Sequence, residues 1–348
     1  MKSGAGAVAV IGTTDWGTTL GIMLSRKGME VRLWARTEEE AERLNREKEN
    51  TRRLPGFPFP EGLRATASLG EALAKASLVV LAVPSQDMRR NARQVGEHLN
   101  SAMLILSAAK GLELDSAKRM SQVIPEEIDS RFHHNICVLS GPNLSKEIAR
   151  GLPATTVVAG RDSAVAARVQ KIMASPLLRV YVNTDVVGVE LGGVLKNIIA
   201  LAAGMVDGLG YGDNTKAGLI TRGLAEITRL GVAAGAAPLT FAGLAGLGDL
   251  VATCSSPLSR NRFVGQELAK GRSLKEITVS MTGIAEGVTT TVAALKLAGE
   301  LKVEMPIAEQ VYRVLYEGID VRQGLAELMG RELKHEFTDL RGSAVERT

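Results

Sequence analysis

The sequence predicts an α/β protein, with a mostly parallel sheet in its first half and an all-helical second half. Three observations carry this reading. Short, continuously apolar runs recur in the first half, as strands buried on both faces require. Helical patterns separate them, the alternation that builds parallel sheets. After Asp185 the apolar spacing turns helical, strand candidates cease, and glycine and alanine become frequent. The boundary falls at 185–190, dividing the 348 residues into a unit 1–186, a unit 187–341 and a tail 342–348.

Ala7–Ile11 (AVAVI) is the first strand, ending at Gly12. A helix over 18–27 follows, closed by Gly28, and then a second strand over 30–34 (EVRLW). This unit has the length of a dinucleotide-binding βαβ. Its G-x-G-x-x-G fingerprint reads Gly12-Thr13-Thr14-Asp15-Trp16-Gly17, so the middle glycine is Thr14. That glycine lets backbone approach a pyrophosphate, and Thr14 adds a β-branched side chain there. Asp15 can cap the helix, and it would compete with a phosphate for the same amide groups. On these residues alone a turn without a ligand stays open. At the end of the second strand, where NAD sites place a carboxylate, stands Ala35-Arg36-Thr37. Arg36 either accepts the 2′-phosphate of NADP or is a solvated arginine opening the charged helix 38–49.

Residues 50–66 read as a Pro/Gly-rich loop, 78–82 and 103–107 as buried strands. Lys110 follows the second of these, on the edge where such sheets bind ligands, unless it merely faces solvent. Ile136–Ser140 is a strand running into a tight turn and helix start over 141–147 (GPNLSKE). Strands over 155–159 and 178–182 complete the first half.

The second half is organised around 186–205 (VVGVELGGVLKNIIALAAGM), a helix about long enough to cross a bilayer. Glu190 and Lys196 interrupt it, and Gly192, Gly193 and Gly204 favour close packing, so it reads as the central helix of a soluble domain. Lys196 is crowded by Val194, Leu195, Ile198, Ile199 and Leu201. It is either a partly desolvated amine suited to proton transfer or a surface lysine that snorkels to water. A polar loop over 208–218 precedes a helix over 219–235. A glycine-rich turn over 242–249 ends in Asp249, and 253–261 leads into a further helix. Helices also start in 283–290 and span 301–317.

A net charge of +4 suits anionic small molecules and is ordinary for a globular protein. Aromatic residues make up only 3%, too few for base stacking, so nucleic acid is not an expected partner. Cys137 and Cys254 lie far apart in apolar runs, without a disulfide framework. His98, His133, His134 and His335 lack metal-ligand spacing, so no metal is expected. The glycine-rich start is too short for a signal peptide; the cytoplasm is the expected location, without membrane insertion.

Lys110, Lys196, Asp249, Arg260 and Asn261 stand out as polar groups in apolar surroundings. Together they supply two ammonium groups, a carboxylate to orient one of them and a guanidinium that grips phosphate. That set suits redox chemistry on a small phosphorylated carbonyl compound. At these residues the chain resembles the bacterial NAD(P)-dependent glycerol-3-phosphate dehydrogenases. The matching stretches are VELGGVLKNIIALAAG, GLAGLGDLVATC, SRNR, SAAKGLE, SGPN with KEIARGLP, and EGVTTT, within a likeness running from about Ala7 to Lys334.

The resemblance implies a Rossmann-like N-terminal domain and an all-helical C-terminal domain. It implies reversible hydride transfer between NAD(P)H and dihydroxyacetone phosphate, giving sn-glycerol 3-phosphate for phospholipid synthesis. Lys196 is then the proton-transfer lysine, Lys110 contacts substrate and cofactor, and Asp249 stands beside the catalytic lysine. Ser259, Arg260 and Asn261 form the substrate-phosphate segment, with Arg260 also near the cofactor. Gly141 and Asn143 form the substrate-side turn. Gly12, Asp15, Trp16, Gly17, Arg36, Ser145, Ile284 and Glu286 fall on the cofactor side. A homodimer through the apolar helical half is the family's expectation.

The departures concentrate at the cofactor: Thr14 for glycine, Asp15 for a small neutral residue, Asn143 for Ser or Thr, and Ser145 for Ala. They lead to the expectation of intact substrate chemistry with weakened or altered dinucleotide binding. A catalytically weak relative that binds a metabolite or partner is the alternative, and a reductase of another hydroxy acid on the same architecture is the third reading.

Overall fold

The computed structural model describes residues 6–281, 283–333 and 336. The expected tail 342–348 and the far end of the second unit lie outside the described residues. The strands are β1 (Ala7–Ile11), β2 (Val31–Trp34), β3 (Leu63–Thr66), β4 (Ala76–Leu81), β5 (Leu104–Ser107), β6 (Ile136–Ser140), β7 (Ala154–Gly160) and β8 (Leu178–Asn183). They form one sheet in the order β3-β2-β1-β4-β5-β6-β7-β8. Pairing is parallel from β3 to β6, antiparallel between β6 and β7, and parallel again between β7 and β8. The chain departs from β1 in both directions, which opens a crevice between β1 and β4 at the carboxyl ends of the strands.

Continuous apolar strands arise here because both faces are covered. In β1, Val8 and Val10 feed one core, with Leu33, Leu78 and Val80. Ala9 and Ile11 feed the core on the other face, with Val79, Leu81 and Ile105. β3 lies inside the stretch expected as a loop. Its sequence, LRAT, has no apolar run, and its pairing with β2 at Val31↔Leu63 through Trp34↔Thr66 comes from distant chain.

The second half packs on the helix Val186–Gly208. Asp185 caps it, accepting from Gly188 N at 2.8 Å, while its other oxygen takes Thr240 Oγ1 at 2.6 Å. This helix is long and apolar enough to cross a membrane, yet 83% of its most apolar window is buried inside the protein. Leu191, Leu195, Ile198 and Leu201 form the spine of the core of this half. A small further cluster joins the two halves, with Val138, Val157 and Ala159 of the sheet against Val189 and Ala245. The helix Arg260–Ala269 crosses the central helix where glycines face each other. A Cβ on Gly204 would lie 1.9 Å from the Arg262 carbonyl, and one on Gly265 1.9 Å from that of Leu201.

Three second-half boundaries differ from expectation. The next helix, Asp213–Ala233, starts inside the expected polar loop, because Asp213 and its neighbours suit a first turn. The glycine-rich stretch at 242–249 is a single π-turn, Leu244–Gly248, running straight into the helix Asp249–Ser255. The expected helix over 301–317 is broken. Glu286–Leu301 stops at Lys302 in left-handed geometry, and Pro306 opens Pro306–Tyr312, as proline at a first helical turn does.

Candidate active site

Three elements from distant parts of the chain bring the central charges together. Lys110 comes from the loop after β5, Lys196 from the middle of the central helix, and Asp249 from the start of its own helix. Asp249 is 1% exposed and accepts both ammonium groups, Lys110 Nζ at 2.6 Å and Lys196 Nζ at 2.8 Å. Lys110 also donates to the Gly141 carbonyl at 2.9 Å, and Lys196 to Thr253 Oγ1 at 2.5 Å. Thr253 in turn donates to the Asp249 carbonyl at 2.7 Å, one helical turn back. Burial pushes the Lys110 ammonium down to about 8, helped by the Lys196 charge and opposed by Asp249. The approach needs a bare backbone: a Cβ on Gly193 would lie 2.1 Å from Ser140 Oγ, and one on Gly192 2.7 Å from the Ala245 carbonyl.

The adjoining segment is set by the helix Arg260–Ala269. Ser259 is its cap and accepts from Arg262 N at 3.2 Å. Asn261 donates to Asn197 Oδ1 at 2.9 Å and accepts from Gly287 N at 2.9 Å, which ties it to the residue after Lys196. Arg260 reaches back to the first half, its Nη2 3.5 Å from Asp15 Oδ2. Glu286 is half-buried and accepts from Ser85 Oγ at 2.9 Å; desolvation holds its carboxyl above the usual range. Ile284 stands half exposed nearby in sequence.

In the turn after β6, Gly141 has φ +132°, which favours glycine. Asn143 donates to Thr156 Oγ1 at 3.0 Å, leaving its Oδ1 buried and unpartnered, as is Ser140 Oγ. Ser145 opens the short helix Ser145–Ala149, and its carbonyl accepts from Thr19 on the first helix at 3.3 Å.

The glycine loop corrects an expectation. Gly12 has φ +109°, and a Cβ on Gly17 would lie 2.3 Å from the Gly12 carbonyl, so both glycines are required. Thr14 sits at φ −65°, ψ 165°, ordinary for any residue. Its hydroxyl caps the helix Asp15–Arg26 by accepting from Gly17 N at 3.0 Å, and donates to the Ala82 carbonyl at 2.8 Å. The cap is therefore Thr14 and not Asp15, and the helix starts three residues earlier than expected. Asp15 turns toward Arg260 instead of its own amides. Trp16 packs against the sheet core.

Arg36 lies at the other end of this edge, in an open cavity of about 450 Å³ lined also by Thr37, Glu39, Glu40, Arg43, Asn50, Arg52 and Arg53. The Arg36 and Arg52 guanidinium groups form no ion pair among the described residues. Two required glycines at a helix start and an unpaired arginine at the end of β2 fit a dinucleotide. No group of three or more His, Cys, Asp or Glu side chains converges among the described residues.

Thus Lys110, Lys196, Asp249 and Gly141 meet directly, and Asn261 joins them through Asn197. Arg260 meets Asp15 across the cleft, whereas Ser259, Asn143, Ser145, Arg36 and Ile284 touch none of the central charges. Sequence reasoning missed Thr253, Asn197, Ser140 and Ser85. Only Thr253 carried a signal, since it lies four residues after Asp249 and so on the same helix face.

Comparison with known proteins agrees with this geometry. Residues 7–166 match the family described as NAD-dependent glycerol-3-phosphate dehydrogenase N-terminus, and residues 185–326 match its C-terminus. A glycerol-3-phosphate dehydrogenase [NAD(P)+] of Dehalococcoides mccartyi is 55% identical over 95% of this chain and 92% of its own length. One of Chlorobium limicola is 47% identical, covering 94% of this chain and 99% of its own. The crystal structure of glycerol-3-phosphate dehydrogenase from Coxiella burnetii superposes with a TM-score of 0.89 at 36% identity, over 94% of this chain and 99% of that one. The alternative of a catalytically weak binding relative gains no support. The chain belongs to the NAD(P)-dependent glycerol-3-phosphate dehydrogenase family.

Proposed function

We propose that this chain reduces dihydroxyacetone phosphate to sn-glycerol 3-phosphate, reversibly, for glycerophospholipid synthesis, with Lys196 as the proton donor and acceptor. The observation that carries the reading is the Asp249 carboxylate held between the Lys196 and Lys110 ammonium groups, at 2.8 and 2.6 Å. Bound NAD(P)H supplies the hydride for the C2 carbonyl carbon. As that carbon is reduced, negative charge grows on its oxygen. The Lys196 ammonium stabilises the charge and donates the proton; in the oxidative direction the neutral amine takes it back. Asp249 and the Thr253 hydroxyl orient Lys196, and Lys110 adds positive potential.

Arg260, Asn261 and Ser259 hold the substrate phosphate, so that remote binding positions the reacting carbon. Asn261 retains a second amide hydrogen beyond its bond to Asn197. On the substrate side, Gly141 shapes the turn and Asn143 offers its unpartnered buried oxygen. Gly12, Asp15, Trp16 and Gly17 hold the dinucleotide, with Lys110, Ser145, Arg260, Ile284 and Glu286 along it. Arg36 and Arg52 favour NADP(H), because unpaired guanidinium groups suit a 2′-phosphate.

The dinucleotide-binding unit then spans 1–186 and the substrate unit 187–341. A homodimer through the helical half is part of this reading. The cytoplasm is the compartment we propose, where free buried thiols such as Cys137 and Cys254 persist. Loss of reduced-nicotinamide absorbance with dihydroxyacetone phosphate, tested with each cofactor, checks the reaction. Its disappearance in Lys196→Ala assigns the proton transfer; undiminished turnover there refutes it.

A further inference from the structure

The loop that carries Lys110 is fastened far more firmly than a surface connection needs. Residues 108–119 fold back on themselves, with an antiparallel bridge between Leu112 and Arg119 and Glu113 N donating to the Lys118 carbonyl at 2.9 Å. Leu112, two residues from Lys110, is fully buried and belongs to the core of the helical half. Gln86 clamps the first arm: its amide donates to the Leu112 carbonyl at 2.7 Å and accepts from Leu114 N at 2.9 Å. Arg89 grips Glu113 through two bonds, at 2.7 and 2.9 Å.

The second arm is fastened to the central helix itself. Arg119 Nη1 lies 2.6 Å from Glu190 Oε2, with the two side chains 12% and 7% exposed. Glu190 also accepts from Ser121 N at 2.9 Å and from the Ser121 hydroxyl. Its carboxylate is thus fully engaged, and all of its partners lie in the first half of the chain. No step of the reaction uses it.

We propose that Glu190 is a positioning residue: its pairing with Arg119 and Ser121 locks the Lys110 loop to the central helix and so fixes Lys110 against Asp249 and Lys196. The proposal rests on the reading of Lys110 as a substrate-side cation. A buried ion pair adds little net stability over packed apolar groups, but neither partner leaves the other without a large penalty, so it holds a geometry. Arg119 transmits that hold through its bridge to Leu112. Asp249 and Lys196 are the charged groups that face Lys110, and both stand on the helical half. Movement of the loop changes the distance of Lys110 from both.

The test uses the full chain with three variants: Lys110→Ala, Glu190→Asp, and Arg119→Met paired with Glu190→Leu, which removes both charges together. The paired variant folds, with a far-UV circular dichroism spectrum like the parent's and a somewhat lower melting temperature, because Ser121 loses its acceptor. The KM for dihydroxyacetone phosphate rises by about tenfold, as a misplaced contact group requires. The alkaline limb of the pH profile moves up, because Lys110 gains water. Glu190→Asp keeps the charge and gives a smaller shift in the same direction. A paired variant with parental KM and parental limb, beside a Lys110→Ala variant that loses both, overturns the proposal alone. Parental kinetics in Lys110→Ala overturn the reading of Lys110 and the proposal with it. Should the paired variant not fold, parental kinetics in Glu190→Asp overturn the proposal.

Discussion

The substrate cleft and the cofactor edge are built on opposite electrostatic plans. In the cleft the central charges are matched: the buried Asp249 carries two lysines, Thr253 fills the remaining contact of Lys196, and Gly141 that of Lys110. At the cofactor edge Arg36 and Arg52 stand in an open cavity without ion-pair partners among the described residues. The cleft has its chemistry preorganised, whereas the edge keeps cationic capacity for an anion that arrives. A charge removed from the cleft disrupts its neighbours as well. One removed from the edge subtracts a single contact.

The largest effect expected from this contrast follows loss of Lys196. Lys196→Ala lowers kcat by about 10³-fold, the scale of a positioned proton donor, with an unchanged KM for the cofactor in steady-state assays. Asp249→Asn comes next, lowering kcat/KM by about 10²-fold, because it leaves two buried ammonium groups facing each other without a counter-charge. An Asp249→Asn variant with near-parental kinetics would break the contrast, since it would make the cleft as tolerant as the edge.

Much of the cleft was legible in the sequence, for a definite reason. Lys196 and Asp249 interrupt apolar runs, and a charge in such a run must either snorkel or find a partner. Lys110 follows a buried parallel strand, where sheets of this class bind ligands. Asn197 was not assigned because nothing local marks it; its partner Asn261 lies 64 residues away. Thr253, one turn after Asp249, and Glu190, inside an apolar helix, carried local marks, but the partners that give them a role lie 57 and 71 residues away. The same cause hid β3, whose four residues become a strand only against β2. At Thr14 the pattern marked a replaced glycine and did not reveal the helix cap. Its position needs no left-handed backbone, and its hydroxyl satisfies a helix amide that glycine would leave to solvent.

At the edge the expected effects are smaller and confined to one ligand. Arg36→Ala combined with Arg52→Ala raises the KM for NADPH by roughly tenfold, or about 1.4 kcal/mol, the scale of a charge-assisted contact to phosphate. The KM for NADH does not move, since that cofactor lacks the 2′-phosphate. Initial rates with both cofactors check this, and equal losses for the two would transfer the arginines from phosphate recognition to general attraction of the dinucleotide.

The smallest effect sharpens the account of the cleft. Burial pushes Lys110 down to about 8, so its charge is present below that pH and lost above it. The positive potential at the developing oxyanion falls with it, so the reduction rate declines as pH rises. If Lys110 titrates alone, the protonated fraction drops about fourfold between pH 7 and pH 8.5, and kcat/KM follows. Lys110→Arg keeps its charge across that range, because a guanidinium does not release its proton there. Its profile stays flat where the parent declines, at a lower plateau set by the poorer fit of the larger group beside Asp249. A limb that persists in Lys110→Arg belongs to another group in the cleft, and the matched charges around Asp249 would then have to be apportioned anew.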